Sequence, residues 1–349
     1  MGVTRLRYVQ FGRTGARVSE VAYGTDNLGN PHGADEETSR QILGTVLDAG
    51  INHIDTSDSY SDGNSENVIG KYLEGSGRRH EVFLTTKVRS RVGDGPNDVG
   101  ASRYHILNGI DESLRRLRTD HVDLYLIHSF DSTTPVEETV RALDDVVRAG
   151  KARYVGCSNW AAWQLAHALW VSDVNNLARF ECIQSEFNIV RPGLAVETIP
   201  LCILEKVAVT AYSPLGAGFL TGKHRPSGAE EETKFGARDD ARGGSLKRKY
   251  FDDYGFEVVE KLRSLAEESG QPMIRLALQW VRETPGVTSP IIGARRLDQI
   301  ESTLEALSED APDDVMSRVR EIAEEFARNT PVTYPPQVQA IPAVQAVST

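Results

Sequence analysis

Short apolar runs alternate with longer amphipathic stretches along most of the chain, and this alternation limits the fold more than any other feature. Eight apolar runs have the length of buried strands, and a helical pattern follows each of them. The runs cover residues 21–23, 51–54, 82–86, 122–127, 154–157, 182–185, 207–211 and 287–292. The helical stretches cover residues 36–49, 65–73, 101–117, 136–149, 161–171, 195–205, 256–269 with 274–283, and 297–307. Eight strand–helix units predict a parallel (β/α)8 barrel, a TIM barrel, rather than an open sheet.

Composition argues against several other classes of protein. The 349 residues carry a net charge of −11, whereas general nucleic-acid binding needs a basic face. No apolar run reaches the roughly 18 residues of a transmembrane helix, and the N-terminus lacks the apolar core of a signal peptide. Cys157, Cys182 and Cys202 show no metal or redox spacing. We therefore expect reduced thiols, no membrane partner and a cytoplasmic location.

Three segments depart from the alternation. The first 20 residues predict a β-hairpin that closes the N-terminal face of the barrel. Residues 223–250, after the seventh strand, form a long polar loop with eight Lys and Arg against five acids. The chain ends in a segment with four prolines from Pro331 to Pro342, which cannot form a regular helix. We expect one domain over residues 1–330 and a Pro-rich tail over residues 331–349, which either crosses the barrel mouth or is disordered.

Four side chains that can hold or move a proton follow successive predicted strands. Asp55 and Tyr60 follow the second strand, Lys87 the third and His128 the fourth. Parallel barrels carry their active sites at the carboxyl ends of the strands, so we expect these four groups to lie together. Each has an ordinary reading alone: a packed tyrosine, a solvated lysine, a helix-capping aspartate, a core histidine. The set in this order predicts a proton-handling site.

Several motifs occur along the chain in an order that resembles one known family. They are Gly12-Arg-Thr-Gly15, Asp55-Thr-Ser-Asp-Ser-Tyr60 with Gly63-Asn-Ser-Glu66, Gly150-Lys-Ala-Arg-Tyr-Val-Gly156-Cys-Ser-Asn-Trp160, Gln184-Ser-Glu-Phe-Asn188, Ala211-Tyr-Ser-Pro-Leu-Gly216 and Ile292-Gly-Ala-Arg295. Over roughly residues 7–303 the chain resembles the aldo-keto reductase superfamily, in the branch with bacterial reductases and potassium-channel β-subunits. Each motif is weak alone, and their common order carries the resemblance.

The resemblance implies reduction of a carbonyl by a nicotinamide, with one role for each of the four residues. Tyr60 gives the proton to the carbonyl oxygen. Lys87 stabilises the phenolate and lowers the pKa of Tyr60 from a free value of about 10, while Asp55 holds Lys87 in place. His128 donates a hydrogen bond to the same oxygen, orients it and stabilises its developing negative charge.

The resemblance also implies a dinucleotide site at the barrel mouth. Tyr212 stacks on the nicotinamide, and Ser158, Asn159 and Gln184 bond its carboxamide. The turn at residues 213–218 either supplies N–H groups to the pyrophosphate or is a plain turn. The expected cofactor contacts are Gly24, Thr25, Asp26, Asp55, Ser158, Asn159, Gln184, Tyr212, Ser213, Pro214, Leu215, Gly216, Gly218, Lys223, Arg238, Gly293, Ala294, Arg295, Gln299 and Thr303. No G-x-G-x-x-G follows an early strand, which disfavours a Rossmann site.

The adenosine end of this site leaves alternatives open. Arg295 is expected to pair with a 2′-phosphate, which predicts NADPH. Arg238 either faces phosphate or is a solvated loop charge. Ser302 and Thr303 replace a Glu-Asn pair that related reductases often carry, which predicts a weaker adenine contact. Asp26 stands where many relatives carry Trp and either makes the substrate pocket more polar or bonds the cofactor ribose.

We predict an NADPH-dependent, metal-free reduction of an aldehyde or ketone to an alcohol; candidate substrates include sugars and nucleotide-linked keto-sugars. The alternative is a cofactor-binding regulatory subunit with vestigial activity, against which the complete set of four residues weighs. A barrel hydrolase or isomerase lacks support because no metal-ligand cluster occurs. The polar stretch at 223–249 is expected to close over the pyrophosphate. The oligomeric state stays open.

Overall fold

Eight parallel strands close into a barrel, as the alternation predicts. The computed structural model describes residues 6–30, 33–225 and 247–329. The barrel strands are β3 (Ala22–Gly24), β4 (His53–Asp55), β5 (Phe83–Val88), β6 (Val122–Ile127), β7 (Ala152–Ser158), β8 (Phe180–Glu186), β9 (Ala208–Tyr212) and β10 (Ser289–Ile292). Neighbours in the sequence pair in parallel, and β10 pairs with both β9 and β3 to close the ring. The carboxyl ends of all eight strands therefore meet at one mouth.

Besides the helical residues 247–250, ten helices are assigned in the part of the chain that the structure describes. They are α1 (Glu36–Asp48), α2 (Asn64–Ser76), α3 (Arg103–Leu117), α4 (Val136–Arg148), α5 (Ala162–Asn175), α6 (Thr198–Glu205), α7 (Asp253–Ser269), α8 (Met273–Glu283), α9 (Leu297–Ala306) and α10 (Asp313–Asn329). Most begin and end close to the predicted bounds. Helix α6 begins later than predicted because Pro192–Ala195 first forms a separate 3-10 turn.

The helix α10 was not predicted from the sequence. Its buried residues Val315, Val319, Ala323 and Phe326 recur at helical spacing and belong to a second apolar core beside α7 and α8. This core lies outside the main cluster between the barrel strands and the surrounding helices. The eight-unit pattern ends at α9, so α10 is an addition to the barrel that the strand–helix alternation does not require.

A hairpin closes the N-terminal end of the barrel, as predicted. Its strands β1 (Tyr8–Gln10) and β2 (Arg17–Ser19) pair antiparallel. Phe11, in the turn, is fully buried and its ring lies 4.9 Å from that of Phe83 at the start of β5. Gly12 adopts φ +57°, and a Cβ there would lie 2.8 Å from backbone atoms next to β9. The bottom of the barrel is thus sealed, and access to its interior is from the mouth.

A close approach between β7 and β8 sets the register at the mouth. The pairing shifts between Val155 and Gly156, and a Cβ on Gly156 would lie only 2.2 Å from the carbonyl oxygen of Cys182. Beyond this irregularity, Ser158 stands opposite Gln184. Glycine at 156 therefore permits the packing that brings two predicted site residues side by side.

Some expectations concern residues outside the described part of the chain. They are residues 226–246, including Arg238, of the polar stretch at 223–249 that is expected to close over the pyrophosphate, and the tail at 331–349. Within the described residues, the three cysteines are buried and free, as predicted. No described helix is long and apolar enough to cross a membrane.

Candidate active site

The centre of the barrel mouth holds a buried ion pair in contact with a phenol. Asp55 ends β4, Lys87 lies within β5, and Tyr60 begins the 3-10 turn Tyr60–Gly63 before α2. The Lys87 Nζ lies 2.6 Å from Asp55 Oδ1 and 3.2 Å from Tyr60 Oη, and it also donates to the Thr56 carbonyl oxygen at 2.8 Å. All three donor positions of the ammonium are therefore used inside the protein.

The pKa values of this cluster keep both Lys87 and Tyr60 protonated near neutral pH. Burial alone lowers the pKa of Lys87, but attraction to Asp55 and Tyr60 outweighs it, and the net direction is upward. Burial raises the pKa of Tyr60; Lys87 lowers it, as predicted, while Asp55 and Asp26 raise it further. The net pKa of Tyr60 is therefore raised rather than lowered, because removal from water outweighs the ammonium. The phenol holds a proton that it can donate.

The second oxygen of Asp55 is also engaged. Gln184 Nε2 donates to Asp55 Oδ2 at 2.8 Å, so both carboxylate oxygens have a partner. Thr25 donates to the backbone oxygen of Asp55 through its N–H at 3.0 Å and its hydroxyl at 2.9 Å. These contacts hold Asp55 in position from two sides, from the end of the neighbouring strand β3 and from β8 on the opposite side of the barrel. The predicted contact of Gln184 with a carboxamide stays a prediction.

His128 follows β6 and lies beside Tyr60. Their ring centroids are 5.7 Å apart, with the planes nearly perpendicular. His128 Nδ1 lies 3.1 Å from Ser57 Oγ and 3.4 Å from Ser90 Oγ. Asn159 Nδ2 donates to the His128 carbonyl oxygen at 3.1 Å. The ring thus stands against Tyr60 with one nitrogen held by serines.

Tyr212 is fixed at the end of β9 by a neighbouring predicted residue. Its hydroxyl donates to Asn159 Oδ1 at 2.8 Å, and burial raises its pKa, so that it keeps this proton. Asn159 has φ +59° and its amide also donates to Ser158 Oγ at 3.1 Å. Asn159 therefore joins Ser158, Tyr212 and His128 into one hydrogen-bonded wall of the mouth.

The turn after β9 is built on left-handed backbone conformations. Ser213, Gly216, Ala217 and Gly218 all have positive φ, between 53° and 99°. The N–H groups of Gly216 and Gly218 each donate at 2.9 Å within the turn, to the oxygens of Ser213 and Leu215. These two N–H groups are therefore committed to the turn, and Pro214 lacks an N–H. The glycines serve first to make the turn tight.

A lysine stands next to this turn. The Nζ of Lys223 lies 3.5 Å from the place that a Cβ on Gly218 would take. An ammonium beside a side-chain-free backbone is a suitable surface for an anion such as a phosphate. Lys223 and Gly218 thus lie close together, and their predicted contact with a cofactor stays a prediction.

The residues after β10 lie beside the end of β3, its neighbour in the barrel. A Cβ on Gly293 would lie 3.5 Å from the Gly24 oxygen and 3.9 Å from Asp26 Oδ1, and Tyr23 Oη donates to the Ala294 oxygen at 3.2 Å. Gly24, Asp26, Gly293 and Ala294 are therefore close together. Both alternatives for Asp26, a polar pocket wall or a ribose contact, remain open in this position.

The adenosine-end residues are tied to one another. Gln299 Oε1 accepts from the Arg295 backbone N–H at 3.1 Å, and the Thr303 hydroxyl donates to the Gln299 carbonyl oxygen at 2.9 Å. The Thr303 hydroxyl is thus used within its own helix, and Thr303 is buried. Arg295 lines a surface groove of about 680 Å³ with Asp35, Asn64 and Arg296 among others.

Several buried polar residues of the site were not predicted. Glu66 in α2 is fully buried and accepts from Thr86 Oγ1 at 2.5 Å and from Arg116 Nε at 2.6 Å. Ser57 and Asp58 lie buried between Asp55 and Tyr60, and Ser57 Oγ donates to Asp58 Oδ1 at 3.1 Å. The position of Ser57 and Asp58 between Asp55 and Tyr60 was the only sign in the sequence that they belong to the site. Their burial depends on helix packing that the motif does not reveal.

A metal centre finds no support in the described residues, where no cluster of three or more His, Cys, Asp or Glu could hold an ion. The mouth offers a phenol, an ammonium, an imidazole and a carboxylate, with Lys223 beside the turn at residues 213–218. This set can transfer a proton to an oxygen atom and hold an anionic group next to it.

Comparison with known proteins agrees with this chemistry. The profile of the Aldo/keto reductase family matches residues 20–324. An uncharacterized oxidoreductase, YrpG, of Bacillus subtilis is 33% identical over 94% of this chain and 99% of its own length. A probable voltage-gated potassium channel subunit beta of Oryza sativa is 35% identical over 86% of this chain and 91% of its own. The versiconal hemiacetal acetate reductase of Aspergillus parasiticus is 31% identical over 86% of this chain and 92% of its own length.

The fold and the site define a barrel oxidoreductase. The chain belongs to the aldo/keto reductase family, and both bacterial oxidoreductases and potassium-channel β-subunits are among its relatives.

Proposed function

We propose that this protein is an NADPH-dependent reductase that converts an aldehyde or ketone to an alcohol. The observation that carries the proposal is the position of Lys87 Nζ, which lies 2.6 Å from Asp55 and 3.2 Å from the hydroxyl of Tyr60. A buried ammonium beside a phenol favours loss of the phenol's proton to a stronger base formed during reaction. Carbonyl reduction forms such a base when negative charge develops on oxygen.

Tyr60 is the proton donor in this proposal. Its raised pKa keeps the phenol protonated until a carbonyl oxygen gains negative charge and accepts the proton. Lys87 then stabilises the phenolate through the 3.2 Å contact, and Asp55 prevents the ammonium from moving toward solvent. When bound, the reduced nicotinamide supplies the hydride to the carbonyl carbon.

His128 is the second group at the carbonyl oxygen. Its ring stands 5.7 Å from that of Tyr60, centroid to centroid, which lets both reach one oxygen atom between them. A hydrogen bond from the imidazole orients the carbonyl and stabilises charge that develops in the transition state. With Nδ1 held by Ser57, Nε2 is the nitrogen on which this hydrogen bond depends.

The residues of the mouth suit a dinucleotide. Tyr212 presents a partly exposed ring fixed through Asn159, a suitable base for a flat nicotinamide. Lys223 beside Gly218 would hold the pyrophosphate, where a side chain on the glycine would obstruct approach. Ser158 and Asn159 would bond the carboxamide, with Gln184 on the neighbouring strand.

The preference for NADPH rests on Arg295. It is half-buried at the rim of the groove, and a guanidinium there can pair with a 2′-phosphate that NADH lacks. The substrate is an aldehyde or ketone, for which a sugar or a nucleotide-linked keto-sugar remains a candidate. Specificity within this class depends on the loops around the mouth.

A second function is favoured by three relatives, 33–35% identical, that are described as probable or putative voltage-gated potassium channel subunits beta. In that case the chain would bind the dinucleotide and regulate a partner, and catalysis would be vestigial. The complete Asp55, Tyr60, Lys87 and His128 set supports catalysis over this alternative, because each has the contacts that proton transfer needs.

A screen of carbonyl compounds separates the two functions. Purified protein would be assayed against aromatic aldehydes, aliphatic aldehydes, ketones and keto-sugars with NADPH and with NADH, while cofactor binding is followed by fluorescence. We expect turnover of at least the simple aldehydes with NADPH. Tight NADPH binding without turnover of any carbonyl would support the regulatory alternative instead, and absence of binding would overturn both.

A further inference from the structure

One carboxyl group in the site has no use in the chemistry described so far. Asp58 lies between Asp55 and Tyr60 in the sequence and is only 4% exposed. Its Oδ1 accepts from Ser57 Oγ at 3.1 Å, while its Oδ2 is buried without a hydrogen-bond partner. A buried, half-satisfied carboxylate is costly, so its presence next to the reacting groups requires an explanation.

No ion pair joins Asp58 to a cation among the described residues, and the nearest cation is Arg116. The carboxylate of Glu66 on α2 accepts hydrogen bonds from Thr86 Oγ1 and from Arg116 Nε. The positive charge of Arg116 on α3 is therefore already paired with Glu66. Burial raises the pKa of Asp58 to about 7, Glu66 adds to the rise, and Ser57, Arg116 and the Ser59 backbone lower it only in part. Tyr125 on β6 also faces this pair of acids, and its own pKa is raised mainly by burial. Asp58 thus changes charge near neutral pH.

Ser57 connects this carboxyl group to His128. Its Oγ lies 3.1 Å from Asp58 Oδ1 and 3.1 Å from His128 Nδ1. A serine hydroxyl has one proton, so it can donate to only one of the two. Two further hydroxyl groups lie close to these atoms. The Ser59 hydroxyl lies 3.1 Å from Ser57 Oγ, and the Ser90 hydroxyl lies 3.4 Å from His128 Nδ1.

We propose that Asp58 is a positioning residue that acts through Ser57 to decide which ring nitrogen of His128 carries the proton. When Asp58 is ionised, its charge draws the Ser57 proton, and Ser57 Oγ then accepts a hydrogen bond from His128 Nδ1–H. The neutral imidazole has its Nε2 unprotonated in this state and cannot donate to a substrate oxygen. When Asp58 is protonated, it donates to Ser57, Ser57 donates to Nδ1, and Nε2 carries the proton.

The three groups therefore share one proton and act as a unit. Transfer of that proton from Asp58 through Ser57 to His128 produces an imidazolium, which also donates from Nε2, so the donor form does not depend on where the shared proton resides. Loss of the proton removes the donor at Nε2. The inference rests on the proposed function, because it deepens the role of His128 as the hydrogen-bond donor to the carbonyl.

Enzyme kinetics give the first test. With NADPH and 4-nitrobenzaldehyde as the probe, kcat/KM of the unmodified enzyme should fall by about 100-fold between pH 6 and pH 9, the scale for losing one donor to a developing oxyanion. In Asp58→Asn no charge draws the Ser57 proton, so the fall should disappear and the rate at pH 9 should exceed that of the unmodified enzyme. Ser57→Ala removes the connection and should also abolish the fall.

A matched control lies in the same loop. Asp62 is exposed and makes none of these contacts, so Asp62→Asn should keep the pH dependence of the unmodified enzyme. An Asp58→Asn enzyme with an unchanged fall in kcat/KM would overturn the inference, as would an unmodified enzyme whose kcat/KM is flat over this range.

A second readout does not require turnover. Nuclear magnetic resonance of protein labelled with ¹⁵N in histidine reports which ring nitrogen carries a proton, and His128→Gln identifies the signal. At pH 9 we expect Nδ1–H in the unmodified protein and Nε2–H in Asp58→Asn. The same tautomer in both would overturn the inference even if the enzyme reduces aldehydes. An inactive enzyme that shows the tautomer change would instead count against the proposed function alone.

Discussion

At the scale of single residues, the buried ammonium of Lys87 organises the site. It holds Asp55 and Tyr60 at 2.6 and 3.2 Å, and no water-exposed surface remains on its side chain. An ammonium in this position lowers the energy of a phenolate only after the proton leaves Tyr60, because burial keeps the resting phenol neutral. The phenol therefore carries its proton at neutral pH, and Lys87 stabilises the phenolate that forms when this proton leaves.

The ionisation of Tyr60 can be measured directly. Its raised pKa means that the phenolate should form only above the ordinary value of 10.0. The difference in absorbance near 295 nm between the unmodified protein and Tyr60→Phe, followed against pH in the absence of cofactor, isolates this one tyrosine. A difference signal that develops between pH 7 and pH 9 would show that Lys87 outweighs burial.

Asp58 makes a second residue-scale prediction, on stability. Its pKa rises from 3.8 to about 7 on folding, so ionisation costs folding free energy as pH rises through this window. At one pKa unit per 1.36 kcal/mol, the advantage of Asp58→Asn over the unmodified protein should grow by about 2–3 kcal/mol between pH 5 and pH 8. Thermal unfolding at the two pH values measures the difference. A gap in melting temperature that does not change with pH would contradict a raised pKa for Asp58.

At the scale of elements, the site residues are positioned by the points at which the strands end and the loops begin. Asp55, His128, Ser158, Tyr212 and their neighbours stand where parallel strands end, and barrel closure converts separate sequence positions into one mouth. The sequence predicts this arrangement because strand ends can be read from apolar runs and their polar successors. It does not reveal the Ser57–Asp58 environment, since burial there depends on how α2 and α3 pack around Glu66 and Arg116.

The loop after β10 carries a prediction on cofactor choice. A charge-assisted hydrogen bond from Arg295 to a 2′-phosphate contributes about 1.5–3 kcal/mol, so NADPH should bind roughly ten- to a hundredfold more tightly than NADH. Arg295→Gln should lower the affinity for NADPH by most of that factor and leave the affinity for NADH nearly unchanged. Fluorescence titration with each cofactor measures the two affinities in the unmodified protein and in the variant.

The neighbouring arginine supplies the control for this prediction. Arg296 pairs with Asp298 at 2.9 Å, so its guanidinium is already engaged and Arg296→Gln should leave the preference close to that of the unmodified protein. Equal affinity of the unmodified protein for NADPH and NADH would rule out a phosphate site at Arg295.

At the scale of the whole molecule, the eight-unit pattern was sufficient to predict the barrel, and the first 20 residues, which depart from that pattern, predicted the hairpin. A closed parallel barrel needs eight strand–helix units, and a sealed bottom needs an apolar plug, which Phe11 supplies. The helix α10 was missed because the barrel is complete without it, and it packs instead on a separate core with α7 and α8. The regular repeat and the hairpin before it were thus predictable from the sequence, whereas the helix added after the repeat was not.

In the proposed function the barrel places one proton donor, and replacement of Tyr60 by Phe tests that claim most directly. The substitution removes the hydroxyl and keeps the ring, so kcat for aldehyde reduction with NADPH should fall by roughly 100-fold or more, the scale for losing a general acid. The affinity for NADPH should barely change, and Tyr154→Phe, whose ring stacks on Phe83, should retain normal activity. A Tyr60→Phe enzyme with most of its activity would contradict the role of Tyr60 as the proton donor.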